Sequence, residues 1–238
     1  MKAIVCEKFG PPEVLELKEV EKPTPKDKEV LVKTYASSVN ALDITFRNGA
    51  KEVFGFVRVL MSGIRKPRKK IAGLDLAGEV VAIGKKVRRF KIGDPVFGFS
   101  VKAGAYAEYT CVAESSIALK PPNMPYEEAA AVCCAAMPAL VGLRKLGEIQ
   151  RGQSVLIYGA SGGIGTFAVQ LAKVFETTVT AVCSEKNFEL VQSLGADAVI
   201  DYTKEDFAQK NQTYDLILDA VGKTSFSHSK DSLKKKGI

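Results

Sequence analysis

The sequence predicts an α/β protein, with a β-rich first part followed by a doubly wound parallel sheet. Three observations carry this. Residues 1 to about 122 hold short apolar runs separated by Gly and Pro turn signals. From about 123 onward, short apolar runs alternate with helical patterns. At the head of that second part, Ser154-Val-Leu-Ile-Tyr158 runs into a glycine cluster, Gly159-Ala160-Ser161-Gly162-Gly163-Ile164-Gly165, and then into the helical pattern Thr166–Phe175.

In the first part, Ala3–Cys6, Val14–Lys18 and Glu29–Thr34 read as strands, with Gly10-Pro-Pro12 and Pro23-Thr-Pro25 between them. Ser37-Ser-Val-Asn40-Ala-Leu-Asp43 opens a short helix, with Asn40 as its cap and Asp43 in the first turn. Leu76–Gly84 reads as a strand, Phe90–Phe97 as a turn feeding the next, and Gly104–Val112 as one more. Together they suggest a small barrel or sandwich.

The pattern changes at Pro121-Pro-Asn-Met-Pro125, which places a domain boundary near residue 122 and gives domains of 1–122 and 123–238. Two helices are expected, Tyr126–Ala136 and Ala139–Leu146, separated by Pro138. The apolar segment Ala129–Leu143 is shorter than the ~18–20 residues of a membrane span and reads as buried helix. After the glycine cluster come strand Thr178–Val182, helix Lys186–Leu194, strand Ala198–Ile200, helix Lys204–Lys210 and strand Tyr214–Ala220.

The glycine cluster is the candidate binding motif. Gly159 lets the chain turn off the strand, Gly162 leaves room for a phosphate, and Gly165 permits close helix packing. The helix start offers free N–H groups and a partial positive charge to an anion. The spacing Gly159-x-x-Gly162-x-x-Gly165 is one residue longer in its first gap than the common dinucleotide fingerprint.

Composition narrows the function. Net charge is +7, moderate enough to suit an anionic nucleotide cofactor. The basic clusters Arg65–Lys70 and Lys234–Lys236 read as a solvated loop and a helix end. No aromatic platform accompanies them, so no nucleic-acid partner is expected. Five scattered cysteines without a C-x-x-C pair are not a disulfide framework and point to a reducing compartment, the cytoplasm. The short apolar start is broken by Glu7-Lys8 and does not read as a signal peptide.

The chain also contains Ser38-Val-Asn40-Ala-Leu-Asp43 with Arg47 and Gly49, Gly73-Leu-Asp-Leu-Ala-Gly78-Glu-Val, Phe90-Lys-Ile-Gly93-Asp94-Pro-Val-Phe-Gly98, Gly104-Ala-Tyr-Ala-Glu108-Tyr, Leu194-Gly-Ala-Asp-Ala-Val-Ile-Asp-Tyr202 and Asp219-Ala-Val-Gly222. In these stretches, and in the glycine cluster, it resembles the medium-chain dehydrogenase/reductase superfamily. More narrowly it resembles the zinc-free quinone oxidoreductases, the zeta-crystallin-like branch. The resemblance implies a GroES-like catalytic domain and a Rossmann cofactor domain, here incomplete at its C-terminal side.

Zinc-dependent members hold their catalytic metal through a Cys, a His-Glu pair and a further Cys or His. Asn40 stands at the first place, Leu74-Asp75 at the second and Cys134 near the last. One thiolate does not hold zinc, which takes three protein ligands. The single histidine, His228, lies in a late polar stretch and reads as a surface residue. Without a Lewis acid, the substrate must already be electrophilic, as quinones and α,β-unsaturated carbonyls are. The resemblance places Asn40 near the nicotinamide as the expected catalytic residue, its amide donating to the substrate oxygen.

The expected cofactor is NADPH, because Cys183-Ser184-Glu-Lys186 at the tip of the second strand offers Ser and Lys to a 2′-phosphate. Glu185 is the residue that instead favours a ribose 2′-OH. The expected cofactor-binding set is Gly159, Ala160, Ser161, Gly162, Gly163, Ile164, Ser184, Lys186, Tyr202, Val221 and Gly222. Competing readings are a residual alcohol dehydrogenase-like enzyme and a non-catalytic dinucleotide-binding sensor or scaffold. Lys234–Ile238 reads as the entry to a fifth parallel strand. A truncated reductase is therefore expected, whose adenosine-phosphate half is intact, whose nicotinamide half is incomplete so that it turns over poorly, and whose fourth strand is an open apolar edge inviting a homo-oligomer.

Overall fold

The computed structural model describes residues 1–49, 63, 66–100 and 102–238. They fall into two compact units, Met1–Cys134 and Ala135–Ile238. The division lies inside a helix, beyond the boundary expected near residue 122.

In the first unit, β1 (Lys2–Cys6) and β2 (Leu15–Glu19) form an antiparallel ribbon. The remaining strands are β3 (Glu29–Ala36), β4 (Asp75–Ile83), β5 (Pro95–Phe99), β6 (Tyr109–Ala113) and β7 (Ile117–Leu119). They form an antiparallel sheet in the order β6-β3-β4-β5-β7. Single bridges Ala3↔Ala107 and Val5↔Ile71 attach the ribbon. Alternation along β3, β4 and β5 sends Val30, Val32, Leu76, Val80 and Val96 into one core, each with no exposed surface. Burying each such side chain contributes about 1.5–3 kcal/mol. The β7 strand, three residues long, was not anticipated. The expected strand at Gly104–Val112 begins only at Tyr109: Gly104 takes φ +102°, outside the strand region, and Ala107 makes only a single bridge, to Ala3. Helix α1 (Ala41–Arg47) starts at Asn40, as the cap predicts. Of the basic loop, Arg65 lies outside the described residues.

The expected pair of helices after Pro125 is one. Helix α2 (Tyr126–Leu140) contains Pro138 and passes into a π-helical stretch, Val141–Leu146. Proline removes one N–H and crowds the preceding turn; the widened turn that follows lets the helix continue. Ala129 and Ala130 pack against Ala77 in the first unit, and Ala139 and Leu143 enter the core of the second. The rest is not the buried helix expected. Tyr126–Leu146 spans 21 residues and is long and apolar enough to cross a membrane by length and composition alone, yet only 28% of its most apolar stretch is buried.

The second unit contains β8 (Ser154–Tyr158), α3 (Gly163–Val174), β9 (Thr178–Cys183), α4 (Phe188–Ser193), β10 (Ala198–Asp201), β11 (Leu216–Asp219) and a last turn of helix, α5 (Phe226–Ser229). The strands are all parallel, in the order β10-β9-β8-β11. On one face α3 seats Ala168, Val169 and Ala172 against Val155, Ile157 and Ala181. On the other, Leu156, Val182, Ile200, Phe207 and Tyr214 cluster. Burial on both faces is why β8 reads as an unbroken apolar run.

Two expectations fail here. Lys204–Lys210 forms only one 3₁₀ turn, Phe207–Gln209. Its single large apolar residue, Phe207, is already anchored in the core, and the Asp206 carboxylate takes the Ala208 N–H. The outer edge of β11 is not open along its length. Tyr214 bridges Leu233 in parallel, Ile238 N–H donates to Asp215, and Ile217 N–H donates to the Ile238 carbonyl.

Candidate functional site

The nucleotide-binding candidates all lie at the C-terminal ends of the parallel strands, where open α/β sheets bind ligands. Gly159 leaves β8 with φ +77°, a conformation side chains resist, and a Cβ there would lie 2.6 Å from Val221 Cγ1. Ala160 is fully buried beneath the turn. Gly162 caps α3 with extended backbone (φ −80°, ψ 171°) and has no side chain to occupy the helix start. Gly163 and Ile164 form the first turn of this 12-residue helix. Gly165 carries the closest packing: a Cβ would stand 2.2 Å from the Gly159 carbonyl oxygen.

Ser161, in the glycine turn, meets the tip of β9 through a residue the sequence reading missed. Asn187 Nδ2 donates to Ser161 Oγ at 3.0 Å and to Ser184 Oγ at 3.2 Å. The only sequence signal was a small amide beside Ser184 and Lys186. Lys186 is exposed and carries no ion pair among the described residues. Glu185 pairs with Lys204, which also stands 3.9 Å from Asp201. The β9 tip therefore presents Ser, Asn and Lys, while its one carboxylate is already engaged.

Tyr202 is 55% exposed just past β10, its ring 6.4 Å from that of Tyr158. Beside it lies a cavity of about 250 Å³ lined by Tyr158, Val182, Tyr202, Asp206, Phe207 and His228. His228 is exposed, as expected, and is also partnered: Nε2 pairs with Asp206 Oδ2 at 2.8 Å, and its ring stands edge-on to Phe207. After β11, Asp219 Oδ1 accepts from the N–H groups of Val221 (2.9 Å) and Gly222 (2.8 Å), and Oδ2 accepts from Thr224 N–H (2.9 Å). Asp219 thus shapes the turn bearing Val221 and Gly222 and uses their N–H groups.

In the first unit, Asn40 stands in a capping box: Oδ1 accepts from Leu42 N–H at 3.0 Å, and its own N–H donates to Asp43 Oδ2 at 3.0 Å. Its Nδ2 donates to Asp75 Oδ2 at 3.2 Å. Ser38 Oγ donates to the same oxygen at 2.5 Å, and Tyr106 OH donates to the Ser38 carbonyl at 3.0 Å. Asp75 is 1% exposed. Burial, against the Ser38 bond and with the Asp43 charge adding to it, pushes its carboxyl up to about 6. Burial also raises Asp43, and holds the Cys133 and Cys134 thiols at about 12 and 11, so both are protonated at neutral pH. An apolar cavity of about 480 Å³ adjoins α1, walled by Leu42, Phe46, Ile71, Leu74 and Phe99 with Asp43 at its side.

The donor set at the superfamily's zinc position does not fit zinc. It consists of an amide, one carboxylate and one thiol, so two of its side chains are ordinary zinc ligands where zinc takes three from the protein. Among the described residues, no three His, Cys, Asp or Glu side chains gather where they can hold a metal ion.

Residues 26–122 match the alcohol dehydrogenase GroES-like domain, and residues 163–238 match the family described as zinc-binding dehydrogenase. The chain is 39% identical over 233 residues to the 2-methylene-furan-3-one reductase of Solanum lycopersicum, covering 93% of this chain and 57% of that protein. It is 37% identical to the chloroplastic NADPH-dependent alkenal/one oxidoreductase of Arabidopsis thaliana, covering 93% and 58%. It therefore spans a little under three fifths of the length of these two relatives. The solved quinone oxidoreductase of Coxiella burnetii is 35% identical, with a TM-score of 0.86 over all of this chain and 74% of that one. On these matches the chain belongs to the quinone oxidoreductase branch of the medium-chain dehydrogenase/reductase superfamily.

Proposed function

We propose that this chain belongs to an NADPH-dependent reductase that delivers hydride to a quinone or an α,β-unsaturated carbonyl, with no part played by zinc. The observation that carries the cofactor choice is the β9 tip. Ser161, Asn187 and Ser184 form one hydrogen-bonded group, the adjacent residue Lys186 is exposed with no ion pair among the described residues, and Lys204 engages Glu185. Such a tip favours a 2′-phosphate over a 2′-hydroxyl. The name of the Arabidopsis relative, which specifies NADPH, supports the same choice.

The residues fit the cofactor: the glycine turn and the uncapped start of α3 suit its pyrophosphate, and Ser184, Lys186 and Tyr202 its adenosine phosphate. NADPH supplies the hydride. Asn40 supplies a hydrogen-bond donor for the substrate oxygen, where charge develops as hydride arrives. With its Oδ1 and one N–H spent, the second Nδ2–H is the group left for that task. The accompanying proton comes from water. Five free cysteines suit a reducing compartment, which this reading takes to be the cytoplasm.

The test is NADPH oxidation by the whole protein that carries this chain, against quinones, enals and enones, with NADH in parallel and with alcohols plus NADP⁺ as the competing chemistry. The reading expects quinone or enone turnover, preference for NADPH, and activity retained after dialysis against a chelator. Turnover confined to alcohols and lost to the chelator would overturn it. Nucleotide binding without turnover of any substrate would favour a sensor.

A further inference from the structure

We infer that Asp75 is the positioning residue for Asn40, holding its amide in one of two flip states so that a single Nδ2–H remains for a ligand oxygen. This rests on the role proposed for Asn40. A side-chain amide has an acceptor end and a donor end of nearly identical shape, and rotating it by half a turn exchanges them. An amide that must donate to a substrate therefore needs a fixed rotation.

Two partners fix it here, one at each end. Leu42 N–H bonds to Oδ1 and Asp75 Oδ2 accepts from Nδ2. The flipped state would set Oδ1 against a carboxylate and Nδ2 against an N–H, exchanging two hydrogen bonds for two repulsions. The backbone is held as well, through Asn40 N–H to Asp43 Oδ2. Asp75 is in turn held by Ser38 Oγ and sits at the start of β4, a strand paired on both sides. The chain of constraint thus runs from the sheet through Asp75 to Asn40.

Both donors reach Oδ2, while Asp75 Oδ1 has no hydrogen-bond partner among the described residues. The groups facing the carboxylate are Ser38, Asn40 and Asp43 at α1, Tyr106 ahead of β6, and Cys133 and Cys134 of α2. None is a cation. A proton on Oδ1 would leave both bonds at Oδ2 in place. An asparagine at this position can likewise offer its carbonyl to both donors, whereas an alanine offers nothing.

The test follows the Asn40 side-chain amide by ¹⁵N NMR in the whole 238-residue chain, assigned by its loss in Asn40→Ala. Wild type should show two well-separated amide proton signals. Their exchange with solvent should quicken at least tenfold in Asp75→Ala, quicken less in Ser38→Ala, and recover most of the wild-type protection in Asp75→Asn. Unchanged signals in folded Asp75→Ala overturn the inference. If Asp75→Ala does not fold, unchanged signals in Ser38→Ala do so. In turnover of a soluble quinone, Asp75→Ala should lower kcat about tenfold with KM for NADPH within twofold, and should cost nothing further on an Asn40→Ala background. An additive loss in the double variant overturns the inference. Full activity in Asn40→Ala refutes the proposed role of Asn40 instead, and the NMR result then decides the positioning alone.

Discussion

Asn187 Nδ2 lies 3.0 Å from Ser161 Oγ and 3.2 Å from Ser184 Oγ, so one amide ties the glycine turn to the tip of the second parallel strand. Lys186, two residues on from Ser184, is exposed and carries no ion pair among the described residues. Lys186→Ala should weaken NADPH binding by about 1–3 kcal/mol, the range for a hydrogen bond to a charged group, and leave NADH nearly unchanged. Calorimetric titration of both cofactors checks this. Equal loss for the two would remove the 2′-phosphate from this tip.

Lys204 and Glu185 should set the same preference from the other side. The pair is exposed, so its breakage costs the fold little, at most about 1 kcal/mol. Its effect on a ligand is larger, because Lys204→Ala frees a carboxylate at the strand tip. That carboxylate repels a 2′-phosphate and accepts from a 2′-hydroxyl. The ratio of NADPH to NADH affinity should fall at least tenfold in Lys204→Ala and recover in Lys204→Ala with Glu185→Gln. An unchanged ratio would mean that Glu185 faces away from the ribose.

What the sequence revealed and what it hid divide along chain distance. The glycine turn was legible because the steric demands on Gly159, Gly162 and Gly165 are local. The cap at Asn40 was legible for the same reason, since both of its backbone bonds lie within three residues. Asn187 was missed because its partner Ser161 is 26 residues away. Asp75 was missed as a partner of Asn40 because 35 residues separate them and only the β3–β4 pairing brings them close. The split at Pro138 failed because packing at Ala139 and Leu143 outweighs proline's local penalty. The open edge at β11 failed because pairing between Tyr214–Ile217 and Leu233–Ile238 is set by topology, not by apolar pattern.

Two glycines of the turn should respond oppositely to alanine. At Gly165 a Cβ would meet the Gly159 carbonyl at 2.2 Å and Ala160 Cα at 2.6 Å, both backbone atoms that cannot step aside. Gly165→Ala should destabilise the second unit by about 3 kcal/mol, as α3 is pushed off β8. At Gly163 the nearest atom is Ala135 Cβ at 3.8 Å, ordinary contact. Gly163→Ala should be neutral or stabilising by up to ~1 kcal/mol, the helix preference for Ala over Gly. Hydrogen exchange in α3 distinguishes the two, and equal destabilisation would contradict the packing argument.

The last prediction concerns how stability of the first unit varies with pH. Asp75 titrates near 6 when folded, above its ordinary 3.8, because it is buried and faces the Asp43 charge. The folded state therefore binds a proton that the unfolded state releases throughout the window from about 4 to 6. Stability from this group is greatest below that window, declines as pH rises through it, and is flat above. The full difference is about 3 kcal/mol, from roughly two units at 1.36 kcal/mol each. Glu114, held below its ordinary range by the Arg88 and Arg89 N–H groups, acts in the opposite sense but only at lower pH. Between pH 5 and 7 the Asp75 contribution should dominate. Native-state hydrogen exchange of β4 should report lower opening free energy at pH 7 than at pH 5. In Asp75→Asn that slope should vanish, with the variant more stable than wild type at pH 7 by about 1–2 kcal/mol. The gain falls short of the full difference because the new Nδ2 takes the place of Oδ1, an atom without a partner among the described residues. A slope that persists in Asp75→Asn would assign it to Asp43, the other buried carboxylate raised by its surroundings.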